Sequence, residues 1–281
     1  MGMNKLNHAK RVQIINLLVE GNSMRTTARI ADVAFNTVAK LFIDTARMCA
    51  DYQDRAFRNL TCKKLQLDEI WSFVYAKQKN VPDGKRGEAG DVWTWVAIDA
   101  DSKLVPSWRI GSRDARTACE FVDDLASRLA HRVQITADGH KPYLQAIEGA
   151  FGSNVDFAQL VKLYGDTVEG QKRYSPPVCV GATKSVVMGN PDACCISTSY
   201  VERQNLTMRM SIRRFTRLTN AFSKKIENHA LSVALHYMHY NFVRIHKTLR
   251  VTPAMAAGIS DHVWTIDEMV GLVEQAEAIS K

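Results

Sequence analysis

The sequence predicts an α/β protein: a five-stranded mixed sheet with flanking helices, preceded by an all-α segment. Three observations predict it. Apolar residues recur at helical spacing through residues 1–60, the period switches to alternation at Lys64, and the elements after that run three strands, helix, strand, helix, strand.

Residues 9–20 place Val12, Ile15 and Val19, with Ile14 and Leu18, on one helical face, and Gly21 ends the segment. Ser23 is the expected cap of a second short helix through Ala31. A tight turn follows from Asp32 to Phe35. Asn36 is then expected to cap a third helix, with Val38, Leu41 and Phe42 on its apolar side. Helix, short helix, turn, helix is the sequence form of a helix-turn-helix. Asn36, Thr37 and Lys40 open the helix that would meet DNA, where short polar side chains reach base edges or phosphates. A plain structural cap of three helices is the alternative. Residues 43–60 read as a helical connector.

The stretch KLQLDEIWSFVYAK, from Lys64, alternates with Leu65, Leu67, Trp71, Phe73 and Tyr75 on one parity, which is a strand. Residues 77–91 are a polar, glycine-rich loop; 92–99 and 104–110 are the next strands, the latter irregular at Pro106. Ser112 or Asp114 caps a helix to about Ala130, with Ala118, Phe121, Val122, Leu125 and Leu129 on one face. A short strand, 133–137, ends at Asp138. A helix over 142–150 and a fifth strand over 154–161 follow. Residues 165–198 are the least regular part and read as a long loop, functional or mobile. Beyond them a helix from about Ser199 to Arg217, another over 223–242, and a helix-rich tail (253–258, then 265–279) complete the chain. The expected domains are a DNA-binding segment at 1–60, a catalytic domain at 61–260 with an irregular insertion at about 165–198, and a helical tail at 261–281.

Composition narrows the function. Hydrophobic residues make up 46% of the 281, enough for a packed core and too many for wholesale disorder. The formal charge is +8, unevenly spread: residues 203–250 hold ten Lys or Arg against the single acid Glu227. Two basic zones flanking an acidic centre suit a protein that grips phosphates at its ends and holds metal in between. The six cysteines match no zinc spacing, and the sequence has neither a secretory leader nor an apolar run near 18 residues. The expectation is a cytoplasmic protein with free thiols and no membrane contact.

Three carboxylates stand out. Asp68 lies inside the first strand, pointing opposite to Leu67 and Glu69, and an acid in an apolar strand is costly unless paired or bound to metal. Asp138 falls just past a strand end, where sheet enzymes present catalytic groups. Glu202 opens the helix SYVERQNLTMRMSIRRF. If the first and fourth strands are parallel neighbours, the two aspartates converge. Two strand acids and one helix acid form an oxygen ligand set for two Mg²⁺ ions. Each has a plainer reading: an ion pair for Asp68, a turn for Asp138, a helix-dipole partner for Glu202. Arg209 and Arg213 follow Glu202 at spacings that return to its side of the helix, and Arg214, Lys224 and Lys225 extend the basic run. His140, two residues past Asp138, is either an accessory group orienting phosphate or water, or an ordinary loop histidine.

These residues resemble the DDE-type insertion-sequence transposases, whose catalytic core is ribonuclease-H-like and integrase-like. The matching pieces are LDEIWSFV (67–74), TADGHKPYLQAI (136–147), STSYVERQNLTMRMSIRRFTRLTNAFSKKIENH (197–229) and YNFVRIHKTLRVTPAMAAGI (240–259). The resemblance covers about residues 60–260. It implies that Asp68, Asp138 and Glu202 are the metal ligands, that Arg209 is the family's basic residue after the glutamate, and that two Mg²⁺, with Mn²⁺ as a substitute, support DNA cleavage and strand transfer. It also implies double-stranded DNA partners (the element's terminal repeats and target DNA) and a homo-oligomer assembled on that DNA. Asp138 and Glu202 are 64 residues apart, longer than integrase-like spacing, and Glu169 is a rival third acid. A metal-dependent nuclease of the same fold and a transposase-derived DNA-binding regulator are the alternative functions.

Overall fold

The computed structural model of the chain describes residues 6–165, 179–216 and 220–279. It divides into two compact units. One comprises Asn59–Ile70 and Trp95–Arg203, the other Met1–Arg58, Trp71–Thr94 and Gln204–Lys281.

The strands are β1 (Lys64–Val74), β2 (Gly90–Asp99), β3 (Ser107–Gly111), β4 (Val133–Ala137), β5 (Val155–Tyr164) and β6 (Cys179–Met188). They form one sheet in the order β3-β2-β1-β4-β5-β6. β1 pairs parallel with β4, β4 parallel with β5, and β5 antiparallel with β6. The expected class, a mixed α/β sheet with helices beside it and an all-α N-terminal segment, is the one observed among the described residues. It has six strands where five were expected. The sixth corrects the reading of 165–198 as irregular throughout; residues 166–178 lie outside the described residues, as does Glu169.

In the first unit, α4 (Ala115–Arg128) and α5 (Pro142–Phe151) pack on each other, and α4 also packs on β3. Asp114 caps α4, its side chain accepting from the Thr117 N–H at 2.8 Å. Of the expected apolar face, Ala118, Phe121, Val122 and Leu125 are fully buried, while Leu129 is half-buried at the C-cap. Trp95 sits among Phe121, His140 and Tyr143, and donates its indole N–H to the Ser112 carbonyl at 3.2 Å. Burial of each such large side chain is worth about 1.5–3 kcal/mol. Through His140 this cluster adjoins the segment that follows β4. Pro106 does what a proline at a strand start does: β3 begins immediately after it.

The other unit is built on helices α1 (His8–Val19), α2 (Met24–Ile30), α3 (Phe35–Ala56), α7 (Ile226–Met238) and α9 (Ile266–Ile279). Ser23 caps α2 as expected, accepting from the Thr26 N–H. Asn36 does not cap α3. The helix starts two residues earlier, its N-cap is Ala34 without a side-chain bond, and Asn36 is exposed in the first turn. The connector 43–60 is mostly the continuation of α3, a 22-residue helix. α3 packs on α7 and α9. Phe57 stacks on Phe242 with centroids 5.7 Å apart, and Gln53 donates to the Ala234 carbonyl at 3.1 Å. The C-terminal helix α9 packs against α1, where Arg11 donates to Glu277 at 3.2 Å and 3.3 Å and His8 meets Asp267 and Glu274. At Gly21, φ is +80° and a Cβ would lie 3.0 Å from the Ser211 carbonyl oxygen, so both the turn and the close approach require glycine.

The helix carrying Glu202 is α6 (Ser199–Ser211), and the short α8 spans Pro253–Ala256. α6 is shorter than expected: a 3₁₀ turn at Arg213–Phe215 replaces its last part, and Arg217 lies outside the described residues. The six cysteines are unpaired thiols, Cys194 and Cys195 in a short turn. Among the described residues no helix is long and apolar enough to cross a membrane.

Candidate active site

The parallel pairing of β1 with β4 aligns Leu67 with Ala137, so the next residues of the two strands, Asp68 and Asp138, come side by side. Both are half-buried. The step after Asp138 is tight: a Cβ on Gly139 would lie 2.9 Å from Val161 Cγ2 on β5. Asp138 Oδ1 accepts from the His140 N–H at 2.9 Å, and its carbonyl accepts from Gln159 Nε2 at 3.0 Å. Backbone and side chain are thus both held.

Glu69 joins them. Carboxylate oxygens of Asp68, Glu69 and Asp138 all lie within 4.8 Å of one another. The expectation that Asp68 points opposite to Glu69 separates two acids that the structure brings together. Arg113, from the loop between β3 and α4, links the group: its Nε donates to Glu69 Oε2 at 3.0 Å, and its Nη2 is 3.5 Å from Asp138 Oδ2. The Glu69 side chain is fully buried. Burial, with Asp138 and Asp68 beside it, pushes its carboxyl up to about 7, although the Tyr143 hydroxyl and, more weakly, Arg113 oppose the shift. His140 is held below the usual histidine range by burial and then by the charge of Arg113.

Glu202 comes to the same cavity from the first turn of α6. That cavity, about 790 Å³, is lined by Asp68, Asp138 and Glu202 together with Arg113, His140 and Lys162. The position of Glu202 is set by Gln66, buried on β1 two residues before Asp68. Its Oε1 accepts from the N–H groups of Tyr200 at 2.8 Å and Val201 at 3.2 Å, so β1 caps the helix start. Thr198 Oγ1 donates to Glu202 Oε1 at 2.6 Å, and Lys162 from β5 pairs with Oε2. Glu202 is therefore an ion-paired acid in the cavity and is not among the close-set oxygens.

The donor set fits a hard divalent cation. Three carboxylates converge on one point, and oxygen-only ligation is what Mg²⁺ and Mn²⁺ take.

The remaining candidates lie elsewhere. Asn36 and Lys40 are exposed and Thr37 half-exposed on α3. Arg209 is half-buried in the last turn of α6. Arg213, Arg214, Lys224 and Lys225 line a second, separate cavity. Sequence reasoning missed Glu69, Arg113, Lys162 and Gln66. Only Glu69 left a signal, as the acid adjoining Asp68.

No family model matches the chain, and no curated protein matches it. Among solved structures it is similar to a Mos1 transposase paired-end complex with the left transposon end, at 13% identity and TM-score 0.24, covering 56% of this chain and 60% of that one. It is similar to a piggyBac transposase synaptic complex with hairpin DNA, at 12% identity and TM-score 0.42, covering 98% and 72%. A pre-cleavage Mos1 transpososome matches at 10% identity and TM-score 0.27, covering 85% and 79%. The chain spans 60% of the length of the first Mos1 chains it matches.

Proposed function

We propose that this chain is a DDE-type transposase that cleaves and joins DNA strands with divalent cations held by Asp68, Asp138 and Glu202. The observation that carries the reading is the juxtaposition of Asp68 and Asp138 on parallel neighbouring strands, in one cavity with Glu202. The shared matching segments named above and the basic run after Glu202 support it.

Asp68 and Asp138 hold the cation, with Glu69 as a further oxygen donor against them. When bound, two Mg²⁺ ions, or Mn²⁺ in their place, neutralise charge on the scissile phosphate and make a water molecule or a 3′-hydroxyl a better nucleophile. The chain's own residues do the positioning. Arg113 fixes Glu69 and Asp138 relative to each other. Lys162 and Thr198 hold Glu202 at the cavity wall, and its carboxylate is freed for ligation when Lys162 turns to a phosphate oxygen instead. His140, in the lining of the same cavity, orients phosphate or water. No residue serves as a covalent nucleophile, because the attacking groups are water and the DNA 3′-hydroxyl.

Double-stranded DNA, both element ends and target, is the partner. Asn36, Thr37 and Lys40 read it from the helix-turn-helix of residues 1–60, and Arg209, Arg213, Arg214, Lys224 and Lys225 hold its backbone. A homo-oligomer pairs the two ends, acting on DNA in the cytoplasm.

The test is strand transfer by the full chain with Mg²⁺ and duplexes carrying the ends of its own element. Asp68→Ala, Asp138→Ala and Glu202→Ala are each expected to lose cleavage and joining while still binding duplex. Full activity in any one of them removes that acid from the site. Cleavage by wild type with no joining would make the chain a nuclease.

A further inference from the structure

The larger cavity of the helical unit, about 830 Å³, has a composition unlike a structural void. Arg25, Arg213, Arg214, Lys224 and Lys225 line it, and among the described residues no acid does. Its floor is apolar; of its three aromatic rings, Phe42 is buried beneath Arg214, Phe222 carries the Lys224 ammonium at 4.1 Å, and Phe35 is exposed. Phe35 is 47% exposed at the start of α3, where an aromatic side chain has no folding reason to sit in water.

Arg214 is the most telling of the cations. Its guanidinium is half-buried over the Phe42 ring at 5.3 Å, and it donates to Ser223 Oγ at 3.2 Å and toward the Met24 sulfur. Among the described residues no carboxylate pairs with it, and burial alone lowers it to about 10. A charge withdrawn from water without a counter-ion is costly, so its retention points to an anion that arrives from outside the chain.

A duplex does not satisfy this cavity. Its phosphates lie on a convex surface and its bases are stacked inside, so it reaches the cationic rim and leaves the exposed Phe35 ring bare. An unpaired nucleotide satisfies both: phosphates on the cations, base on the exposed Phe35 ring, with Asn228 in the same lining for a base edge. We infer that this cavity, between the α1–α3 trio and residues 211–214 and 220–236, is a binding site for single-stranded DNA. It takes an unpaired nucleotide at or near a processed end. The inference rests on the DNA-processing reading above and adds to it a second DNA form and the new contacts Arg25 and Phe35.

The experiment is fluorescence anisotropy of the full chain with four probes: a single-stranded oligonucleotide, the duplex of the same sequence, an abasic strand of equal length, and inorganic phosphate as competitor. Wild type is expected to bind the single strand better than the abasic strand. Phe35→Ala is expected to weaken single-strand binding by roughly five- to a hundred-fold, the range for one lost base stack, with little change for duplex or abasic strand. Arg25→Gln should flatten the salt dependence on the single strand by about 0.7 in log–log slope, the value of one phosphate contact. Both side chains are exposed, so neither variant threatens the fold. Equal losses on single strand and duplex, or none, overturn the inference and leave the proposed function standing. Complete competition by millimolar phosphate also overturns it, reducing the cavity to a simple anion site. Failure of wild type to bind any DNA overturns the proposed function and this inference with it.

Discussion

Gln66→Met separates the account of the site from a mere list of acids. The substitution keeps the length and packing of a side chain only 3% exposed, and removes the acceptor that holds the N–H groups of Tyr200 and Val201. Those two donors open α6, where the helix itself offers them no partner. Val201 is fully buried, so water does not replace the lost acceptor there. Stranding a buried donor costs about 1–3 kcal/mol. At about 2–4 °C per kcal/mol for large domains, the melting temperature should fall by roughly 3–10 °C. Glu202, one residue on, loses its fixed approach to the cavity, so divalent-cation affinity should fall as well. Scanning calorimetry and isothermal titration with Mn²⁺ read the two effects on the same samples. A melting temperature within about 1 °C of wild type, with unchanged Mn²⁺ affinity, would refute the claim that β1 positions the helix acid.

Three other outcomes follow from named contacts. Lys162→Met removes the ammonium that competes with a cation for Glu202; a part-exposed pair of this kind is worth about 0.2–1 kcal/mol, so Mn²⁺ should bind up to about fivefold more tightly, and weaker binding would contradict the competition. His229 and His236 are buried and held neutral, first by burial, each to about 3 against the ordinary 6.5. The unfolded chain therefore binds the extra protons between those values, and stability rises with pH across that window and is lost on acidification. At pH 5 the loss is set by the ordinary histidine value and amounts to roughly 2 kcal/mol per residue. His236→Gln should melt with a shallower dependence between pH 7 and pH 5 in buffered thermal scans, and an unchanged slope would mean that His236 is not buried neutral. Gly21→Ala forces a side chain into a left-handed turn facing the Ser211 carbonyl and should cost about 1–2 kcal/mol by urea unfolding, whereas a neutral result would show that this turn relaxes freely.

Most of the sheet was legible because its strands bury something. β1, β2, β4 and β5 carry the apolar runs that made 64–74, 92–99, 133–137 and 154–161 readable, and Asp114 and Ser23 cap helices as their chemistry suggested. β6 was not legible for the converse reason. Cys179–Met188 is exposed along nearly its whole length, so neither face selects apolar residues, and its only signature is backbone pairing with β5. Local signals also misplaced the start of α3, since Asn36 has a capping side chain but the chain turns helical before reaching it.

The site divides along the same line. Asp68 and Asp138 were readable from strand position, because parallel neighbours bring successive strand ends together. Glu69 was hidden by the two-face rule, which treats strand residues as independent and takes no account of an arginine bridging across. Gln66 and Lys162 act on α6 over 134 and 40 residues of chain, and nothing in the local sequence marks a hydrogen bond of that span.

The central claim is that the two facing aspartates hold a divalent cation for chemistry on DNA. Electron paramagnetic resonance of Mn²⁺ added to the full chain tests it most directly, with wild type set against Asp68→Asn and Asp138→Asn. The account predicts bound Mn²⁺ in wild type, displaced by excess Mg²⁺, and loss of at least tenfold in affinity in each variant with the fold intact by circular dichroism. Equal Mn²⁺ binding in all three proteins would contradict it.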